Sequence, residues 1–354
     1  MTNESIVVVD CLHTALKLFS RSGVKVSKIF PFISACAVSA DGGKDRLFGL
    51  PFVRSAHKNC RVKAVGGGEP IISGTVIPPQ ESARGQLAKT RKNPKPSVAV
   101  IDTGVALHPD LSLFRSRIAA FKDFVAAAEI PYDDNGHGTA VTGVLCGCDR
   151  FSGLNKRNTA VSVVALKALD AGGEGNAFGI LQAMQWVYDN AQKYSIKVVN
   201  MSFGCAEKEG AALRIGAEAL VKSGLTVVAS AGNGGEEEGI LSPATSPFVI
   251  TVGGADGFKA ADFSARGRNA KNKPDLIAQA VDLPALTPSG GYTFVSGTSV
   301  AAPQVSAAAA ALLAKYPDYT PDRIKSILKN GAYKLDGRYS EVGSGLLNAS
   351  VAEM

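Results

Sequence analysis

The chain reads as an α/β protein: a mostly parallel sheet flanked by helices, preceded by a small separate α/β unit. Three observations predict this. From Ser97 onward, short and nearly continuous apolar runs alternate with stretches of helical spacing, the pattern of strands buried on both faces. Before residue 66 the elements are shorter and come in a different order. Between the two lies a segment that opens on Gly66-Gly67-Gly68 and carries Pro70, Pro78, Pro79, Pro94 and Pro96, with the basic cluster Lys89, Arg91, Lys92 and Lys95. That composition breaks both helix and strand and suits an exposed or extended segment. The expected division is therefore 1–65, 66–96 and 97–354.

Within the first unit, Ile6 to Val9 is a β-branched run that predicts a strand, and Ala15, Leu16 and Phe19 stand at helical spacing within His13 to Phe19. Val24 to Ile29 and Phe32 to Val38 are extended candidates. Leu47 to His57 is expected to hold a short helix, and Cys60 to Val65 to close the unit. In the large part, strands are predicted at Val98–Ile101, Val161–Leu166, Val198–Met201, Leu225–Ala229 and Phe248–Val252. Helices are predicted at Phe178–Ala191, Ala211–Lys222 and Val300–Lys315. Thr320-Pro321-Asp322 offers a cap, a first-turn proline and an early acidic residue for a last helix. Chemistry in such sheets gathers at the carboxyl ends of the strands.

Composition removes several function classes. With 354 residues, 45% of them hydrophobic, the chain can bury a large core and is neither a peptide ligand nor a disordered linker. Its net charge of +7 does not indicate nucleic acid, because residues 1–96 hold 15 basic and 6 acidic side chains while the remainder holds 23 and 25. A basic first quarter facing an acidic remainder suggests that the nearest partner of the first unit is the rest of its own chain. The opening MTNESIVVVD lacks the basic start and long apolar run of a secretory signal, and the alanine-rich stretch from Ala301 is interrupted by Pro303, Gln304 and Ser306. A cytoplasmic protein without a membrane partner is expected, with export by a route lacking a classical signal left open. The cysteines Cys11, Cys36, Cys60, Cys146, Cys148 and Cys205 show no metal-ligand spacing, and reduced thiols are expected.

Three motifs carry chemistry. Val98-Ala-Val-Ile-Asp102-Thr-Gly104 ends a buried strand on a carboxylate, which on its own would suit a cap or a metal ligand as well as catalysis. Asn135-Gly-His137-Gly-Thr-Ala sets an imidazole between glycines at the head of an apolar helical run, where a lone histidine could equally be structural. Ser296-Gly-Thr-Ser299-Val-Ala-Ala-Pro303 puts a hydroxyl at a turn that enters a helix, whose first amides can receive developing negative charge. A serine needs a base to act as a nucleophile, and that base needs a third group to fix its tautomer.

In the order Asp, His, Ser, these motifs resemble the subtilisin-like serine proteases, the subtilase family. The resemblance implies that Asp102 orients His137, that His137 takes the proton of Ser299, and that Ser299 forms an acyl-enzyme. It also implies that Asn233, in Ser230-Ala-Gly-Asn233, donates to the oxyanion. Ser202-Phe203-Gly204 and Gly173-Glu174-Gly175 resemble the two family edges between which an extended peptide lies as an added strand. Ser242-Pro243 resembles a turn that is often cis in the family. The first unit resembles, by element order and position, the subtilase propeptide, a folding assistant and inhibitor.

There are also departures from the family. Lys273-Pro274 to Ala280 lacks the usual proline-glycine pair, and Arg150 stands near a calcium-loop position where an oxygen ligand is needed, although Asp110 matches a family calcium position. No metal and no cofactor are assigned; calcium has no clear site. Glu236, Glu237 and Glu238 form either a solvated loop or an acidic rim near the specificity pocket. The expected function is a serine endopeptidase of peptide or protein substrates, made as a self-inhibited precursor that cuts itself at Val65–Glu69 or at Lys89–Lys95. One rival is a silent or permanently inhibited binding protein of the same fold, and another is a hydrolase restricted to a single cellular substrate.

Overall fold

A computed structural model of the chain describes residues 4–39, 47, 50, 52–65, 95–112, 117–146 and 161–352. The first unit is a four-stranded antiparallel sheet, ordered β2-β3-β1-β4, from β1 (Ser5–Val9), β2 (Lys25–Phe30), β3 (Ala35–Ser39) and β4 (Val53–Lys58), with helix α1 (Leu12–Arg21) on one face. β1 is apolar on both faces because both are covered. Val7 and Val9 pack with Ala15, Phe19 and Val38 beneath α1, whereas Ile6 and Val8 join Phe30, Ala35 and Ala37 in a core shared with the large body. The helix expected over Leu47–His57 is corrected in its second half. Val53–Lys58 is β4, paired along β1 from Ser5↔Lys58 to Val9↔Val53, and this pairing satisfies its backbone where local preference would have made a turn of helix. Phe32 and Ile33 fall in a 3₁₀ turn, Pro31–Ile33, ahead of β3, since Pro31 has no N–H for the sheet.

The large body is an eight-stranded, mostly parallel sheet with helices on both sides. Its strands are β6 (Ser97–Asp102), β7 (Ile118–Asp123), β8 (Ser162–Lys167), β10 (Ile196–Met201), β12 (Thr226–Ser230), β13 (Ile250–Asp256), β14 (Lys259–Ala260) and β15 (Leu276–Gln279). They are ordered β14-β13-β12-β10-β6-β8-β7, with β15 beside β13, so the chain starts at β6, goes to the edge at β7, returns to β8 beside β6, and then builds outward on the other side through β10, β12 and β13. The order of the strands reverses about β6, and in sheets of this kind chemistry gathers at the carboxyl ends of the strands beside such a point.

Around the sheet lie α2 (Pro109–Ser112), α3 (His137–Cys146), α4 (Ala177–Asn190), α5 (Ala211–Lys222), α6 (Thr298–Lys315), α7 (Pro321–Asn330), α8 (Tyr339–Val342) and the hairpin β16 (Leu283–Leu286) with β17 (Tyr292–Val295), among other short elements. Strand residues alternate between two cores. Ala99, Ile101, Val199 and Met201 face α4 and α5, and Val98, Val100, Val198 and Val228 face α3 and α6. Thr320 caps α7 by accepting from the Arg323 amide, with Pro321 in the first turn. Lys273 is buried, donating to the Val249 carbonyl and to Asp275, which also meets Lys325 and Lys329. Burial drives the Lys273 ammonium down to about 7 although Asp275 opposes this. The Ser242–Pro243 and Lys273–Pro274 peptides are both cis.

The first unit docks on α4 and α5. Phe30 meets Phe178 edge-on at 5.7 Å, Phe32 lies 6.0 Å from Tyr188, and the Gln185 side chain accepts from the Phe32 amide. Apolar burial supplies this adhesion. After β4 the chain leaves the unit and forms β5 (Arg61–Ala64), which pairs not with the first sheet but with β9 (Glu174–Asn176) and β11 (Phe203–Gly204) of the body. The 66–94 segment and the Cys148–Arg150 loop lie outside the described residues.

Candidate active site

Asp102 closes β6 and is buried. The turn after it requires glycine, because Gly104 has φ 122° and a methyl there would lie 2.2 Å from the Tyr132 carbonyl oxygen. Asp102 Oδ1 accepts from the Thr103 amide at 2.7 Å and from His137 Nδ1 at 2.7 Å. His137 opens α3, and its loop is organised by a residue not singled out in the sequence. Asp133 accepts from the Thr103 hydroxyl, the amides of Asn135, Gly136 and Thr139, and the Thr139 hydroxyl. Lys167, another such residue, is buried at the end of β8 and donates to the carbonyls of Thr103 and Leu169 and to Asp134. It ties the strand carrying Asp102 to the loop carrying His137. The available signals were the acidic pair just before Asn135 and a lysine terminating an apolar strand.

Ser299 is the second residue of α6, so its amide is one of the first-turn donors without an intrahelical acceptor. Its carbonyl would normally accept from residue 303. Pro303 has no N–H, and the Ser202 hydroxyl takes that place at 2.8 Å. Ser202 in turn accepts from Asn200 at 2.9 Å, and Asn200 accepts from Ser306 at 2.8 Å, a buried chain that anchors the serine turn. Asn233 Oδ1 accepts from both the amide and the hydroxyl of Thr298, each at 2.9 Å, which leaves Nδ2 buried and without a hydrogen bond. A methyl built on Gly297 would stand 3.0 Å from Asn233 Nδ2, 3.3 Å from Ser299 Oγ and 3.5 Å from the Val65 carbonyl oxygen. Those three groups therefore surround one small space.

The expected Ser299–His137 hydrogen bond is not formed. His137 Nε2 is buried without a hydrogen bond, as is common when such a site is not engaged in reaction. Burial works against a charge on the ring, but the Asp102 carboxylate, then Asp133 and the Val65 backbone outweigh it and hold His137 above its ordinary value.

The two edges expected to dock a peptide, β9 and β11, are both paired with the chain's own strand β5, the tail of the first unit. Ala64 donates to the Gly173 carbonyl at 2.8 Å and Val65 to the Ser202 carbonyl at 3.0 Å; Lys63 stands opposite Glu174 and Gly204, and Val62 opposite Gly175. Ser202 meets the tail through its backbone, and its hydroxyl in addition holds the serine turn. Phe203 likewise docks through backbone, its ring being buried in the core. A methyl on Gly175 would lie 2.7 Å from the Ala168 carbonyl oxygen, and one on Gly204 2.7 Å from Leu241 Cβ. Glu174 pairs with Lys63 at 2.6 Å and with Arg61 at 3.9 Å. Among the acidic trio, Glu236 pairs with Arg338 at 3.0 Å and Arg268 at 4.0 Å. Asp110 accepts from the Tyr292 hydroxyl at 2.7 Å, and among the described residues no group of three or more His, Cys, Asp or Glu is placed to hold a metal.

The sequence pattern of the subtilase family matches residues 93–345. Among curated proteins, the serine protease AprX of Bacillus subtilis (strain 168) is 34% identical over 291 residues, covering 72% of this chain and 65% of its own length. Subtilisin DY of Bacillus licheniformis is 33% identical, covering 75% of this chain and 93% of its own. Subtilisin E of Bacillus subtilis (strain 168) is 30% identical over 342 residues, covering 95% and 84%. Among solved structures, fervidolysin from Fervidobacterium pennivorans, described as a keratinolytic enzyme related to subtilisin, superposes with a TM-score of 0.73 at 22% identity. That match covers 99% of this chain and 60% of the other, and it speaks for the fold.

Proposed function

The chain belongs to the subtilase family and is a subtilisin-like serine endopeptidase, and from that premise we propose that it is made as a self-inhibited precursor whose residues 1–65 are the inhibitor. One observation carries this reading: β5 is the middle strand between β9 and β11, and it delivers the Val65 carbonyl to the space bounded by Ser299 Oγ and Asn233 Nδ2. The bond that follows, Val65–Gly66, is the proposed point of self-cleavage.

In this mechanism Ser299 Oγ attacks the Val65 carbonyl carbon while His137 Nε2 takes the hydroxyl proton. Asp102 holds the Nδ1 proton and compensates the imidazolium that forms. The oxyanion lies between the Ser299 amide, in the first turn of α6, and Asn233 Nδ2, which carries no other bond and so needs no reorganisation. His137 returns the proton to the Gly66 amine as it leaves, and water then releases the acyl group from Ser299. Peptide and protein substrates bind as the tail does. Full burial of Val62 and near burial of Val65 favour aliphatic side chains at those two positions.

Two outcomes are expected. Incubated wild-type chain should yield a new N-terminus at Gly66, read by N-terminal sequencing, while Ser299→Ala chain stays intact; equal cutting of both would defeat the proposal. Glu174 should favour a basic residue two positions before the one at the cut. Both partners of its pair with Lys63 are at least a third exposed, so the effect is small. A peptide with Lys there should be cleaved about three- to fivefold faster than its Glu counterpart, and Glu174→Lys should reverse the order.

A further inference from the structure

The tail and the body meet at a second place that proteolysis does not use. Cys60, the residue before β5, and Cys205, the residue after β11, face each other with their sulfurs 3.5 Å apart, both side chains buried. Each backbone is pinned. The Cys60 carbonyl accepts from the Ala177 amide at the head of α4, with the neighbouring Asn59 side chain accepting from the Phe178 amide, and Cys205 exchanges both backbone hydrogen bonds with Ser242. The sulfurs are the parts left to move, and a disulfide needs them about 2.05 Å apart. Chain position makes the pair consequential: one cysteine belongs to residues 1–65 and the other to the body, and the proposed cut after Val65 falls between them.

We propose that Cys60 and Cys205 form an oxidisable pair, joined by a peroxide, that locks the inhibitory tail into the cleft even after the Val65–Gly66 bond is cut. The proposal rests on the self-inhibited reading above. The Cys60 thiolate attacks one peroxide oxygen and breaks the O–O bond, becoming a sulfenic acid as hydroxide leaves. The Cys205 sulfur then attacks the sulfenic sulfur, loses its proton, and water departs. Two thiols are oxidised and one peroxide is reduced to two waters. A peroxide is small enough for a buried pair, and the direction of attack is set by the hydrogen bond between the sulfurs. The contact with Cys205 holds the Cys60 thiol below its ordinary value against burial, while Cys205 is pushed up by the same contact and by burial. The other described cysteines lie elsewhere. Cys11 is exposed, burial pushes Cys36 up to about 11, and Cys146 is bonded to the Thr142 carbonyl of its own helix. Without oxidant the two thiols leave the tail free to depart once cut.

The chemistry is tested on the full-length Ser299→Ala chain, where no cutting intervenes. After hydrogen peroxide and alkylation, peptide mapping by mass spectrometry should show a Cys60–Cys205 crosslink. The control is then tested on wild type refolded with peroxide or with dithiothreitol. The oxidised sample should carry a cut chain that runs as one band without reductant and hydrolyses peptide at least tenfold more slowly, with the rate restored by dithiothreitol. Cys205→Ser and Cys60→Ala chains should be equally active in both conditions. No crosslink in the Ser299→Ala chain, a crosslink without loss of activity, or equal inhibition of Cys205→Ser would each overturn the proposal. Cutting of the Ser299→Ala chain would instead overturn the self-inhibited reading, leaving the crosslink result intact.

Discussion

Ser299→Ala should reduce peptide hydrolysis by on the order of 10⁶, because a nucleophile and base that act as a unit lose nearly everything when either goes, leaving only oxyanion and binding contributions. The fold should not change. Ser299 anchors its turn through its carbonyl, which accepts from Ser202, and alanine retains that carbonyl. The variant should therefore keep the thermal midpoint of the wild-type precursor while staying uncut after Val65. Peptide-cleavage rate, circular dichroism and intact mass check the three parts together, and a variant retaining wild-type turnover would remove Ser299 from the chemistry.

Asp102→Asn should cost about 10⁴ in kcat. Asp102 Oδ1 receives both the Thr103 amide and His137 Nδ1, and Oδ2 is buried without a hydrogen bond. An asparagine amide placed at Oδ2 would be an unsatisfied buried donor. Turned the other way, it would donate to Nδ1 and force the ring proton onto Nε2, where it blocks proton acceptance from Ser299. Either way the charge that supports the imidazolium is gone. The same charge sets the pH dependence. The wild-type pKa of His137 is raised, largely by Asp102 against burial, so activity should fall as pH drops through a value above the ordinary imidazole value of about 6.5. In the variant burial remains and the opposing charge is lost, so the residual activity should persist to lower pH. A kcat/KM profile that does not move would argue against this electrostatic role.

The sheet was readable because its strands are buried on both faces. Val98–Ile101 is apolar throughout, Val198–Met201 and Leu225–Ala229 are broken only by the buried Asn200 and Thr226, and burial of this kind leaves little alternative. Val53–Lys58 was not readable, since Arg54, Ser55, His57 and Lys58 give no apolar pattern and only pairing with β1 makes the segment a strand. The same distinction runs through the site. Asp102, His137, Ser299 and Asn233 stand in glycine-rich motifs whose backbone demands show in the sequence. Asp133, Lys167, Asn200 and Ser306 each have a partner 30 to 106 positions away, as from Asp133 to Thr103 or Ser306 to Asn200, and a polar residue in a loop or strand end otherwise looks like surface. The tail's position depends on the body's two edges, so in the sequence Cys60–Val65 reads only as the strand that closes the first unit.

On the proposed mode of inhibition and substrate binding, the three-stranded arrangement of β11, β5 and β9 also limits what shape of protein can be cut. Neighbouring strands lie about 4.8 Å apart, so when the tail departs, the gap between β9 and β11 is about two spacings wide and lined on both sides by backbone donors and acceptors. One fully extended chain fills it. A helix, about 10 to 12 Å across with its side chains, cannot enter, and a hairpin brings a second strand for which there is no room. Any target must therefore give up its local structure over several residues before reaching Ser299. Folded proteins would be attacked at their loose ends and at segments that open transiently, at rates set by how often those segments open. The cleft thus measures the local stability of its substrates as well as their side chains.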